Sequence, residues 1–160
     1  MIVVLDTSCL SAFIRINRVG LLMKILEKHE IVITQQVKKE LELSKYEEVK
    51  NFKHSKIEIK DAESSIADRY TIHIGEASVI RFAKENNALA VIDDKKARQA
   101  AKKEGISFIG TATLIKIGVE KEIIKRNEIE TLLKEITTTG RFYLSEEIKK
   151  WIREYSEPHT

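Results

Sequence analysis

The sequence predicts an α/β fold built on a parallel sheet. Short apolar runs rich in isoleucine and valine alternate with longer stretches of helical periodicity, the pattern of strands joined by crossover helices. The runs are apolar at successive positions rather than at every second one, as in strands buried on both faces. Four such runs are present, at 2–5, 31–34, 89–92 and 107–109.

In chain order, the first strand (2–5) meets Asp6, and a helical stretch follows over 8–27, with a break near Asn17. The strand at 31–34 leads into helical periodicity over 35–51. A weaker alternating run, Lys56-Ile-Glu-Ile-Lys60, fits an edge strand or an exposed loop. Helices are expected at 62–72 and 76–85, then the strand at 89–92, a helix at 95–104, the strand at 107–109 and a helix at 112–119. Beyond Gly118 the pattern changes. Two amphipathic segments follow, one at 128–138 ending near Gly140, the other at 146–155 with Ser145 placed as its N-cap. Ile129, Leu132, Leu133 and Ile136 form one apolar stripe, and Ile148, Trp151, Ile152 and Tyr155 the other. The stripes suit a helical hairpin packed on the sheet, or alternatively a dimer or partner interface. The expected organisation is a sheet domain over 1–120 and a helical extension over 121–160 packed on the same domain.

With 160 residues, 42% of them hydrophobic, the chain suits one core rather than two. Charged residues reach 33%, chiefly Lys and Glu, against roughly 25% on average. That balance fits a soluble protein and points toward a thermophilic source. A formal net charge of +3 permits a nucleic-acid partner without arguing for one. The single cysteine, Cys9, excludes an internal disulfide and a Cys-based zinc site, so a reducing, cytoplasmic location is expected and Cys9 is read as a packed side chain. No run approaches about twenty apolar residues, and the first reaches Asp6 too soon for a signal-peptide core, so no membrane association is expected. The one proline is Pro158, and neither a linker nor a repeat is evident.

Carboxylates dominate the candidate chemistry. Ligands of open parallel sheets bind beyond the carboxyl ends of the strands, and Asp6 and the Asp93-Asp94 pair stand there. Each Asp is also a natural N-cap for the following helix. Two glutamates shift the balance. At 100° per residue, Glu76 falls on the face of Ala77, Val79, Ile80 and Ala83, and Glu40 within the arc of Val37, Leu41 and Leu43. A carboxylate facing a core costs several kcal/mol unless paired, protonated or metal-bound. Each glutamate could pair with one of the 28 lysines and arginines. The alternative favoured by the sequence is that Asp6, Glu40, Glu76 and Asp93 or Asp94 converge on one or two divalent cations.

These residues resemble a known family. The start Val-Val-Leu-Asp6-Thr7-Ser8, the stretch Val37-Lys-Lys-Glu40-Leu41, Gly75-Glu76-Ala77-Ser78-Val79-Ile80, and Ala90-Val-Ile-Asp93-Asp94 followed by Ala97-Arg98 and Gly110-Thr111 look like the PIN-domain nucleases, most of all their VapC-like branch of prokaryotic toxins. The resemblance covers roughly 1–120 in order. Gly140 through Leu144 and the last helix resemble the tail of an uncharacterised archaeal and bacterial PIN-like branch. The resemblance implies a PIN-like sheet flanked by helices, and an Mg²⁺- or Mn²⁺-dependent endoribonuclease with Asp6 as central ligand and Glu40 and Glu76 as acidic partners. For the fourth acid, the family frame aligns with Asp94, whereas Asp93 lies nearer the strand end. Where some relatives carry a further acid this chain has Thr111, so one or two ions remain open. The implied partners are RNA and an antitoxin protein, to which the apolar stripes of the last two helices add a second copy of the chain.

Secondary candidates complete the expectations. Lys95, Arg98 and Lys102 share a helix face, with Lys103 beside it, that is either solvated or grips phosphates near the acids. Ser8 and Thr111 can position a carboxylate or a water, or cap a helix. His29, His54, His73 and His159 show no metal-ligand spacing and are read as surface residues, with His73 a site candidate because it precedes Glu76 by three positions. No glycine-rich phosphate loop is present, which argues against a P-loop ATPase. A haloacid-dehalogenase-like phosphatase would need an Asp at position 8, which is Ser8. A non-cleaving RNA- or protein-binding module is the remaining alternative.

Overall fold

In the computed structural model, residues 1–154 are described; Tyr155, Pro158 and His159 lie outside them. Among the described residues the order is β1 (Ile2–Leu5), α1 (Thr7–Arg15), α2 (Val19–Ile25), β2 (Glu30–Thr34), α3 (Gln35–Glu42), α4 (Glu47–Lys50), β3 (Ile57–Lys60), α5 (Ile66–Tyr70), α6 (Ile74–Asn86), β4 (Leu89–Val91), α7 (Lys95–Lys103), β5 (Phe108–Ile109), α8 (Thr111–Glu120), α9 (Arg126–Thr137) and α10 (Glu146–Arg153). Every strand pairing is parallel, and the sheet runs β3-β2-β1-β4-β5. The chain therefore starts in the middle of the sheet, winds outward through β2 and β3, and crosses back to β4 and β5. Neighbouring connections leave β1 and β4 in opposite directions, which opens a crevice beyond their carboxyl ends.

Val3, Val4 and Leu5 are fully buried, as are Ala90 and Val91. Successive buried residues mean that helices cover both faces of the sheet. The weak alternating run at 56–60 is the edge strand β3, in register with β2 from Ile31 opposite Ile57 to Thr34 opposite Lys60. Among the described residues no helix is long and apolar enough to cross a membrane.

Two helices are shorter than expected. The stretch 35–51 is not continuous: α3 stops at Glu42, and the Ser44 hydroxyl takes the Tyr46 backbone N–H at 3.2 Å, a local turn that competes with the helix. Leu43, placed by periodicity on the apolar face, is 86% exposed because the helix has ended there. The stretch 62–72 contracts to Ile66–Tyr70, with Thr71 in the left-handed region (φ 55°) closing it.

Both C-terminal helices join the single core through Ile129, Leu132, Leu133, Ile136 and Ile152. Gly140 makes the turn between them: a Cβ there would lie 2.5 Å from the Ile136 carbonyl oxygen. A buried lysine then locks α10 in place. Lys116 on α8, 7% exposed, donates its ammonium to the carbonyl oxygens of Trp151 (2.7 Å) and Glu154, satisfying acceptors at the end of the helix. Arg153 pairs with Glu130 between α10 and α9, and Arg18 with Glu135 ties α9 to the start of α2 at the surface.

Candidate active site

A cleft of about 1140 Å³ lies beyond the carboxyl ends of β1 and β4, and Asp6, Glu40, Glu76, Asp93 and Asp94 all line it. Five acids separated by up to 88 positions thus share one opening. Among the described residues none of the five forms an ion pair with a lysine or arginine. The pairing that could have explained inward-facing glutamates is therefore not made.

Asp6 is the deepest of them, 4% exposed. It caps α1, taking the Cys9 N–H on Oδ1 at 2.8 Å, and takes the Asp93 N–H on Oδ2 at 3.1 Å. Burial, and next the nearby charge of Asp93, push its carboxyl up to about 8, against the lowering effect of those two N–H groups. At neutral pH it would hold a proton unless a cation took the proton's place. Beneath it, burial keeps the Cys9 thiol well above its usual range, so Cys9 is a core side chain rather than a nucleophile.

The neighbouring aspartates have different surroundings. Asp93 is half-buried and held by three donors: the Thr111 N–H at 2.8 Å, the Thr111 hydroxyl at 2.6 Å and the Ser8 hydroxyl at 3.2 Å. Of the alternatives open for Ser8 and Thr111, both orient a carboxylate. Asp94 is exposed and caps α7 by accepting the Ala97 N–H at 2.9 Å.

The glutamates arrive on facing helices. Thr34 caps α3 by accepting the Val37 N–H at 3.1 Å and shares a 2.7 Å hydroxyl contact with Ser78 of α6, so a buried polar pair pins the starts of the two helices together. Glu40 and Glu76 are half-buried at the cleft rather than sunk in the core. The Thr7 hydroxyl donates to Glu40. Glu76 accepts the His73 N–H at 3.2 Å, stabilising the start of α6, and burial raises its carboxyl while Asp94 and Glu40 add to the rise. Gly75 is the reason that Glu40 fits: a Cβ at that position would lie 2.6 Å from the Glu40 Cδ and 2.8 Å from its Oε2. Gly75→Ala should leave the fold intact, since alanine favours a helix, yet push the Glu40 carboxylate aside. On the nuclease activity that the resemblance implies, the expected result is an unchanged or slightly higher melting temperature with cleavage slowed on the order of 10²-fold; undiminished cleavage would remove Glu40 from the working site.

The donor set suits a hard divalent ion: carboxylate oxygens without a cationic partner, one of them buried and otherwise protonated. Among the described residues no three acid, histidine or cysteine side chains are already gathered closely enough to enclose an ion.

Ser8, His73 and Arg98, named from the sequence, line the cleft as well, whereas its far side was not visible in the sequence. Its opposite wall is the segment after Gly140, including Arg141, Tyr143, Ile148 and Trp151. Thr7, Thr34 and Ser78 were likewise missed as positioning groups; the hydroxyls next to Asp6 and Glu76 in the sequence were the available signal. Of the basic face proposed for phosphates, Arg98 lines the cleft, whereas Lys95 does not and Lys102 lines a separate hollow with Gln99 and Lys103.

A family profile described as a PIN domain matches residues 2–157, nearly the whole chain. No curated protein and no solved structure gives a significant match. PIN domains are generally nucleases that use divalent metals.

Proposed function

We infer, since the chain belongs to the PIN-domain family, that it is an endoribonuclease hydrolysing RNA phosphodiester bonds in the acidic cleft with Mg²⁺ or Mn²⁺. The observation that carries this reading is the gathering of five carboxylates, none of them ion-paired among the described residues, at the switch point of the sheet. Asp6, Asp93, Glu40 and Glu76 would hold the ion, with Asp94 at the rim. When bound, it lowers the pKa of a water and offsets charge building up on the phosphate.

The chain's own residues do the remaining work. Asp6 presents a buried carboxyl whose backbone donors leave lone pairs free toward the cleft. Thr111 and Ser8 fix Asp93, and Thr7 fixes Glu40, so that two carboxylates keep their orientation without substrate. Arg98 is the cleft's cation nearest Gly110, with its guanidinium 5.6 Å above the Phe108 ring, placed to meet a phosphate. A role as the toxin of a toxin–antitoxin pair is compatible with this chemistry. A non-cleaving binding module would use the same cleft without hydrolysis.

Purified protein incubated with end-labelled RNA and Mn²⁺, with EDTA as control, tests the reading. The expected products carry a 5′-phosphate and a 3′-hydroxyl. A 2′-deoxy sugar at the scissile position should still be cut, because the chemistry proposed does not call on the ribose 2′-hydroxyl as nucleophile. A 2′,3′-cyclic phosphate, or cutting that persists in EDTA, would sink the mechanism; binding without cutting of diverse RNAs would favour the binding module.

A further inference from the structure

Three cations crowd one aromatic ring beside the cleft. The Arg15 guanidinium carbon lies 3.9 Å from the Tyr46 ring centroid, Lys45 Nζ 5.4 Å and the Arg141 guanidinium carbon 5.5 Å. They come from separate places: the last turn of α1, the loop between α3 and α4, and the turn after α9. Among the described residues none of the three forms an ion pair, and Glu47 and Glu48, although they open α4 next to Tyr46, are paired with none of them. The ring attracts each cation and gathers three like charges in one place, which suits an anionic ligand.

Arg141 links this cluster to the acids, since it also lines the cleft. Asp6 caps one end of α1 and Arg15 closes the other, so the 9 residues of the helix separate them by about 13 Å along its axis. That is too far for the scissile phosphate to touch both. We propose that Arg15, Lys45 and Arg141 form a phosphate-binding site for the backbone of a nucleic-acid strand leaving the cleft on the side where α1 and α3 end. The proposal rests on the nuclease reading above. The cluster acts on binding: it grips the strand equally before and during reaction, so its loss raises KM and leaves kcat nearly unchanged.

The test is fluorescence anisotropy of a labelled, non-cleavable 2′-O-methyl oligonucleotide, without added metal, over a series of salt concentrations. Each phosphate contact to a single strand contributes about 0.7 to the slope of log affinity against log salt. Combining Arg15→Gln, Lys45→Gln and Arg141→Gln should lower that slope by about 2 and weaken binding about tenfold or more. Arg141→Gln alone, at an exposed position, should lower the slope by about 0.7, which keeps the test decisive if the triple variant does not fold. Arg141→Lys should restore most of the slope, and Lys24→Gln, an exposed charge on α2, should leave it unchanged. A folded Arg141→Gln protein with the wild-type slope overturns the site. If wild type cuts RNA while the variants keep the slope, only this site falls; if wild type neither cuts nor binds, the nuclease reading falls with it.

Discussion

Asp6→Asn is expected to abolish RNA cleavage, by on the order of 10³-fold or more, since an ion's contribution of several kcal/mol converts at 1.36 kcal/mol per tenfold. The variant should still fold. Asparagine keeps one acceptor for the Cys9 N–H, although its amide nitrogen would then face the Asp93 N–H. The substitution should also erase two effects on melting temperature. Without metal, the Asp6 carboxyl is raised to about 8 in the folded chain from an ordinary value of 3.8. The folded state then binds the extra proton, so stability from this group is full below about pH 4 and is lost as pH rises through about 8. The difference in melting temperature between wild type and Asp6→Asn should therefore move against wild type across that window. With Mn²⁺ at about a hundredfold excess over Kd, wild type should gain about 2.7 kcal/mol, or roughly 5–10 °C for a chain of this size. The gain should grow with pH as the proton ceases to compete. Identical responses of the two proteins to Mn²⁺ and to pH would exclude a shared ion at Asp6.

Asp93→Asn and Asp94→Asn should separate sharply. Asp93 accepts from three donors and crowds Asp6 electrostatically, so its carboxylate is both oriented and close to the proposed ion. Its replacement should cost activity about as heavily as that of Asp6. It should also lower stability, since an amide group would point at one of the three donors. Asp94 caps α7, and asparagine caps nearly as well, so Asp94→Asn should cost about 1 kcal/mol or less and only a modest fraction of activity. Because Asp94 contributes to the raised carboxyl of Glu76, that variant should also move any Glu76-linked limb of the pH–rate profile downward. Equal and complete loss of cleavage in both variants would contradict this division of roles. It would also restore Asp94, which the family frame favours, to the ion.

Both expectations depend on orientation that no spacing in the sequence contains. Asp93 and Asp94 both line the cleft, and what separates their roles is that Thr111 and Ser8 hold the Asp93 carboxylate whereas Asp94 caps α7. Glu40 and Glu76 were legible because a carboxylate at an apolar face violates a local rule, and such violations gather where chemistry occurs. The cleft's far wall broke no rule. Arg141 and Tyr143 belong to no chemical motif and Trp151 to an apolar stripe, and their place at the cleft follows from a turn at Gly140 and from Lys116 fastening α10.

What the sequence by itself determined is local and periodic: apolar runs that must be buried strands, helices between them, and acids at strand ends. The extent of those helices was less secure, because the turn at Ser44 and the left-handed Thr71 involve a few atoms and leave the hydrophobic period unchanged until the chain has already turned. Only the tertiary structure decided the strand order, and with it which strand ends face one another. It also decided the partners of Asp93 and the meeting of Arg15, Lys45 and Arg141 at one ring. The physical reason is range: burial periodicity and capping act within a few residues, whereas these contacts join positions that only the closed sheet and its packed helices bring together.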